Sequence, residues 1–210
     1  MPLSDAYATA AEYRARVGGS TDGDDALILA QLTAVSRYID GETAVGRYFT
    51  KDAAAVARYA DGNGRARVYL PFDIATTTGL VVKCDLDSDN DFDGSDETLT
   101  LNPHFWVGPD NAGAGPEAQP FMFLEVVPNN GRLSCWPERR RSLQVTAVSG
   151  WPAVPGAIRE ATIALTRQLR DMEKSGFTLT LQNIDAAVNV SREASYLIRV
   201  EAFREFGPNQ

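Results

Sequence analysis

The chain has 210 residues, 44% of them hydrophobic, with a formal net charge of −8 and a pI near 4.7. That length supports one real core, or a core carrying an inserted lobe. The acidic balance argues against a protein that holds nucleic acid by counterion release, but not against a wall that DNA slides past.

The first element is announced by Thr9-Ala-Ala-Glu12, a capping box. A short helix is expected to follow it and to stop at Gly18-Gly19. A long helix is expected from Asp24 to about Gly46, with Ile28, Leu32, Val35 and Ile39 as its buried stripe. Asp24 and Asp25 suit the positive end of its dipole, and Gly41 weakens its last turns.

Then the period changes from helical to alternating. AVARYADGNGRARVYLP predicts a β-hairpin with Asn63-Gly64 at its tip. GLVVKCDLD, ETLTL, FMFLEVV and SLQVTAVSGW predict further strands, and VGPDNAGAGPEAQP a Gly/Pro-rich loop. Helix returns at Pro155, with Ile158, Ala161, Leu165, Leu169 and Met172 as its stripe and Gly176 as its stop. A last helix is expected near 191–206, with Tyr196, Leu197, Val200 and Phe203 on its apolar side. The expected class is α+β: a mainly helical body, with long helices near 24–46, 155–175 and 191–206, and an inserted antiparallel β-lobe of hairpins at about 55–150.

Catalytic chemistry has little support. The chain has one histidine, His104 in NPHFW, which reads as a packed residue rather than a general base. No nucleophile elbow, zinc-protease motif or Cys/His cluster occurs, and DGNG lacks the rest of a phosphate-binding loop. Cys84 and Cys135 stand far apart, without metal spacing, so a reducing cytoplasmic origin is expected. The opening residues have no apolar core, and no run of about eighteen apolar residues occurs, so neither a secretory signal nor a membrane partner is expected. Arg139-Arg140-Arg141 could touch a phosphate backbone or an acidic neighbour, but reads first as a solvated loop. Trp106, Trp136 and Trp151 each lie near a proline and read as pins for loops.

The stretch DLDSDNDFDGSDE, from Asp85 to Glu97, imitates the first half of an EF-hand loop. Counted from Asp89, however, the twelfth position is Thr100, and both flanks read as strand, so an EF-hand is rejected. A hairpin tip explains the composition, because Asp, Asn, Ser and Gly tolerate turn dihedrals. Six aspartates still crowd between Asp85 and Asp96. A weak calcium site on Asp89, Asp91, Asp93 and Glu97 would relieve their repulsion, ordering a loop rather than performing catalysis. No other cofactor is expected.

In this order the pieces resemble the head-tail connector, or adaptor, proteins of long-tailed bacteriophages. The likeness rests on TAAEYRARVGG with DDALILAQLTAVSRYIDGETAVGRYF, on YADGNGRARVYLP, on VVKCDLDSDNDFDG with ETLTL, and on VTAVSGWPAVPGAIREATIALTRQL. It covers residues 1–175, read as the connector domain; residues 176–210 would be a tail with a final helix. The resemblance implies a structural virion protein with no catalytic residues. It would form a ring with itself, usually dodecameric, under the portal protein. The ring would extend the DNA channel without binding DNA specifically, and would dock head-closure or tail proteins. Such a protein sits in the virion neck and is made in the bacterial host cytoplasm. The alternatives are a calcium-stabilised binding module, a carboxylate-based enzyme, and a head-closure or tail-terminator protein of the same neck. Long helices favour the adaptor over the last of these.

Overall fold

In the computed structural model, residues 6–18, 24–41, 48–113 and 118–174 are described. They divide between two compact units, one drawn from residues 1–49 and 154–210, the other from 50–153.

The first unit holds helices α1 (Ala10–Val17), α2 (Asp25–Asp40) and α3 (Gly156–Lys174). The expected capping box is present. The Glu12 amide donates to Thr9 Oγ1 at 3.1 Å, and the Thr9 amide donates to Glu12 Oε2 at 2.7 Å. That bond from the Thr9 amide, the largest influence on it, holds the Glu12 carboxyl below its usual range. Helix α1 ends at Gly18, whose φ of 71° is cheap only for glycine.

The predicted stripes of α2 and α3 are buried: Ile28, Leu32, Val35 and Ile39 on one, Ile158, Ala161, Leu165 and Leu169 on the other. Arg170 ties the end of α3 to the start of α2, donating to Asp24 at 2.9 Å and to Gln31 at 3.2 Å. Two threonines of α3 are also buried. Thr162 and Thr166 donate to the carbonyls of Ile158 and Thr162, both at 2.8 Å, so their hydroxyls cost little inside.

A polar knot accompanies α2. The Tyr7 hydroxyl donates to Asp40 and accepts from the Phe49 amide at 2.9 Å, while the Tyr7 amide donates to Ser36 Oγ at 3.0 Å. Burial, and then the Asp40 carboxylate, push the Tyr7 phenol well above its usual range. Tyr7→Phe keeps the ring but removes the buried hydroxyl that bonds both the Phe49 amide and Asp40. The expected loss is about 1–3 kcal/mol, read as the shift of the urea unfolding midpoint. An unchanged midpoint would mean that water replaces the hydroxyl.

The second unit is two antiparallel sheets. Strands β1 (Val56–Ala60), β7 (Leu143–Ala147), β3 (Val81–Cys84) and β4 (Thr98–Leu99) lie side by side in that order. Strands β2 (Arg67–Ile74), β6 (Phe121–Val126) and β5 (Phe105–Gly108) form the second sheet. Their inward residues, including Val68, Val82, Leu99, Phe105, Leu124 and Val145, share one core with Trp136 of the β6–β7 connection.

Pro71 cannot donate to a ladder. The register of β2 on β6 accordingly jumps from Tyr69↔Phe123 to Ile74↔Phe121. Beyond the irregularity β2 reaches the end of β7. Ala75 donates to the Val148 carbonyl and Gly150 to the Asp73 carbonyl, both at 2.9 Å.

Several expectations are corrected here. A mainly helical body with long helices is not what the described residues show. Their three helices have 8, 16 and 19 residues, against seven strands in two antiparallel sheets. The helix expected over 24–46 ends at Asp40, because Gly41 turns extended with ψ 150°. The helix expected near 191–206 lies outside the described residues.

The hairpin expected around Asn63-Gly64 does not form. Strand β1 pairs with β7 and β2 pairs with β6, in different sheets. The segment 136–139 takes the hydrogen bonds that a hairpin would have used. Gly62 donates to Arg139 at 3.1 Å, Gly64 to Trp136 at 3.0 Å, and Trp136 to Arg65 at 2.9 Å. Of the three tryptophans, Trp136 and Trp151 are buried and Trp106 is exposed; Trp136 is a core residue rather than a loop pin.

The outer face of the three-stranded sheet is aromatic. The register sets Arg67 opposite Glu125 and Glu125 opposite Trp106, with Tyr69 opposite Phe123 on the same face. Arg67 lies over the Phe123 ring at 4.3 Å and pairs with Glu125 at 2.7 Å. Tyr69 and Trp106 are 50% and 44% exposed, a large aromatic area for a free surface.

Candidate metal centre

The acidic stretch is the loop between β3 and β4, as its composition predicts. These strands pair through Val82↔Leu99 and Lys83↔Thr98. Asp85 directly follows one strand and Glu97 directly precedes the other, so the pairing brings them to the base of the loop. The Cys84 amide donates to the Glu97 carbonyl at 2.9 Å, and the Asp85 amide to the Ser142 carbonyl at 3.0 Å.

Between them the aspartates fold back on their own backbone. Asp85 Oδ1 accepts from the Ser88 amide at 2.7 Å. Asp89 Oδ1 accepts from the Asp91 amide at 3.0 Å, and Asp91 Oδ1 from the Asp93 amide at 3.1 Å. Such turns are what Asp offers a tight loop. Lys83 anchors the crown, its ammonium donating to the Phe92 carbonyl at 2.6 Å.

Four carboxylates converge. One ligand oxygen each from Asp85, Asp87, Asp89 and Glu97 lies within 4.8 Å of the others. Asp87 and Asp89 are exposed, whereas Asp85 and Glu97 are 2% and 1% exposed. Of the residues named from sequence, Asp89 and Glu97 stand in this cluster. Asp91 and Asp93 are exposed on the loop outside it, and Asp85 and Asp87 take their places. The signal that could have found Asp85 is its position at the strand end, opposite Glu97.

The electrostatics are uneven. Arg139 donates to Asp85 Oδ2 at 3.1 Å and also to the Asp85 carbonyl. This Arg is therefore half-buried and held on the acidic loop, while Arg140 and Arg141 beside it are exposed. Its neighbour Arg141 is engaged too, with its amide on Asp61 at 2.7 Å and its guanidinium 4.2 Å from the Tyr59 ring centre. Glu97 Oε2 accepts from the Gly94 amide at 2.9 Å, but the enclosed Oε1 receives no hydrogen bond. Burial raises the Glu97 carboxyl above its usual range; the Gly94 and Leu86 amides oppose this, while Asp87 and Asp89 add to it. Asp93 is also raised, first by Asp91 beside it.

The remaining sequence candidates have structural places. His104 Nδ1 accepts from the Thr100 amide at 2.8 Å, closing the turn before β5. Cys84 and Cys135 are free thiols, and burial pushes that of Cys84 up to about 12. Among the described residues, no helix is long and apolar enough to cross a membrane.

No protein-family model matches this chain, and no curated protein matches it. Two solved structures are similar in outline. One is a chain from the "Neck of empty GTA particle computed with C6 symmetry", 16% identical, covering 98% of this chain and 90% of that one, with a TM-score of 0.46. The other is from the "Virion of native gene transfer agent (GTA) particle", 19% identical over 90% of this chain and 87% of that one, with a TM-score of 0.44. Likeness at this level does not transfer a role.

Proposed function

We propose that this chain is a non-catalytic subunit of a phage-type virion neck, a head-tail connector. It closes into a ring with copies of itself, docks on a portal above, and receives head-closure or tail proteins below. The observation that carries this reading is the order of the pieces. A capped α1 and an acid-started α2 precede the strand-bearing unit, and a Trp-Pro turn leads into α3. That is the order on which the resemblance to connector proteins rests.

Two physical features suit the role. A ring subunit must offer two different faces to its neighbours. The face built from Arg67, Tyr69, Trp106, Phe123 and Glu125 has the aromatic and arginine content that interfaces favour. The net charge of −8 gives DNA no reason to stick as it passes.

The head-closure or tail-terminator reading belongs to the same class. The long-helix argument against it falls with the corrected fold, so the portal is what separates the two. Native mass spectrometry over a concentration series, with and without portal, is the test. The expected result is a ring of about a dozen subunits, formed alone or on the portal. A chain that stays monomeric and ignores the portal would overturn the connector assignment.

A further inference from the structure

We propose that Asp85, Asp87, Asp89 and Glu97 bind one calcium ion, which clamps the base of the β3–β4 loop. The clustering of acidic groups alone would not carry this, since a hairpin tip accounts for acidic residues without any ion. The deciding observation is Glu97. Its side chain is almost wholly enclosed and belongs to the cluster; one oxygen is held by Gly94, and the other, also enclosed, has no hydrogen bond. A buried carboxylate oxygen left without a partner is costly, and a cation is the partner that the surrounding oxygens can share.

The donor set selects the ion. All four groups offer oxygen, which suits hard cations rather than zinc or copper. Oxygens on opposite sides of a calcium ion, each about 2.3–2.6 Å from it, are about 4.6–5.2 Å apart. With every ligand oxygen within 4.8 Å of the others, the cluster leaves no pair too far apart to share one such ion. Magnesium, at about 2.0–2.1 Å, demands a regular octahedron and gives up its water reluctantly, which suits an irregular all-carboxylate cluster less well. Water completes the coordination on the open side, where Asp87 and Asp89 face solvent. Arg139 on Asp85 offsets one of the four negative charges, so binding is of a structural, millimolar-to-micromolar kind. The site is independent of the ring: it joins two ends of one loop within one chain.

The test is isothermal titration of the full chain with calcium chloride, and separately with magnesium chloride, alongside thermal melts. The expected result is one calcium per chain, a raised melting midpoint, and much weaker binding of magnesium. Glu97→Gln and Asp87→Asn should each weaken calcium by about tenfold or more. Asp87 is exposed, so its variant does not endanger folding. Asp93→Asn should bind as the parent does. Absence of calcium binding at millimolar concentration would overturn the site. So would equal affinity for magnesium, or binding lost in Asp93→Asn but kept in Glu97→Gln.

Discussion

Trp136→Ala should destabilise the strand-bearing unit by about 3–5 kcal/mol, a large share of the roughly 5–15 kcal/mol that holds a domain folded. Among the described residues Trp136 is the largest fully buried side chain, at 0% exposure, and it lies in the core that both sheets share. Truncation removes its apolar area, leaves a cavity, and frees the Leu124 carbonyl that its indole N–H meets at 3.3 Å. It also stands where the segment 136–139 is bonded to Gly62, Gly64 and Arg65, so loosening it loosens the crossing between the sheets. Urea unfolding followed by near-ultraviolet circular dichroism measures the loss. Trp106→Ala is the matched control, since its side chain lies on the outer face of β5. That variant should stay within about 0.5 kcal/mol of the parent. Similar losses for the two would refute the assignment of Trp136 to the core.

Gly150→Ala should cost about 3 kcal/mol or more. Gly150 has φ +110°, a conformation that L side chains rarely adopt, and a Cβ there would stand 2.0 Å from the Thr50 carbonyl oxygen. The obstacle is backbone, held by the bridge between Lys51 and Gly150 and by the bond from Gly150 to Asp73. It cannot swing aside as a flexible side chain could. Conformational strain contributes about 1–2 kcal/mol and the collision about 1–3 kcal/mol. Gly131→Ala separates the two contributions. Gly131 has φ +75° but nothing within 4 Å of its Cβ, so only the conformational part is expected there. The difference between the two variants, read by urea unfolding, measures the close approach of the chain at Gly150. Equal losses would show that the contact relaxes.

Much of the acidic loop is legible before folding is considered, because turn chemistry is local. Strand, Asp-rich turn and strand follow one another from Val81 to Leu99, and the pairing of β3 with β4 agrees. The choice of carboxylates that converge is different in kind. Counting from Asp89 uses spacing along the chain, and it selects Asp91 and Asp93. Folding selects by distance in space, and it gathers Asp85 and Asp87 with Asp89 and Glu97. Arg139 shows the same limit. Beside two other arginines it reads as solvated, yet a partner 54 residues earlier draws it onto the buried Asp85.

The sequence by itself determined what depends on neighbours along the chain. The capping box at Thr9, the stripe Ile28–Leu32–Val35–Ile39 and the stripe on α3 are helical because their signals repeat within a few residues. It also marked the bend at Gly64, where the Arg65 amide donates to Asn63 Oδ1 at 3.1 Å, though not the hairpin. Only the tertiary structure decided what lies beside each strand. The stretch around Asn63-Gly64 has every local mark of a hairpin. Its two arms nonetheless enter different sheets, β1 on β7 and β2 on β6, and Trp136 packs in the core that the two sheets share. Turn chemistry is a property of four residues, but a strand's partner is set by the core that both must bury, and that core is assembled from residues far apart in the chain.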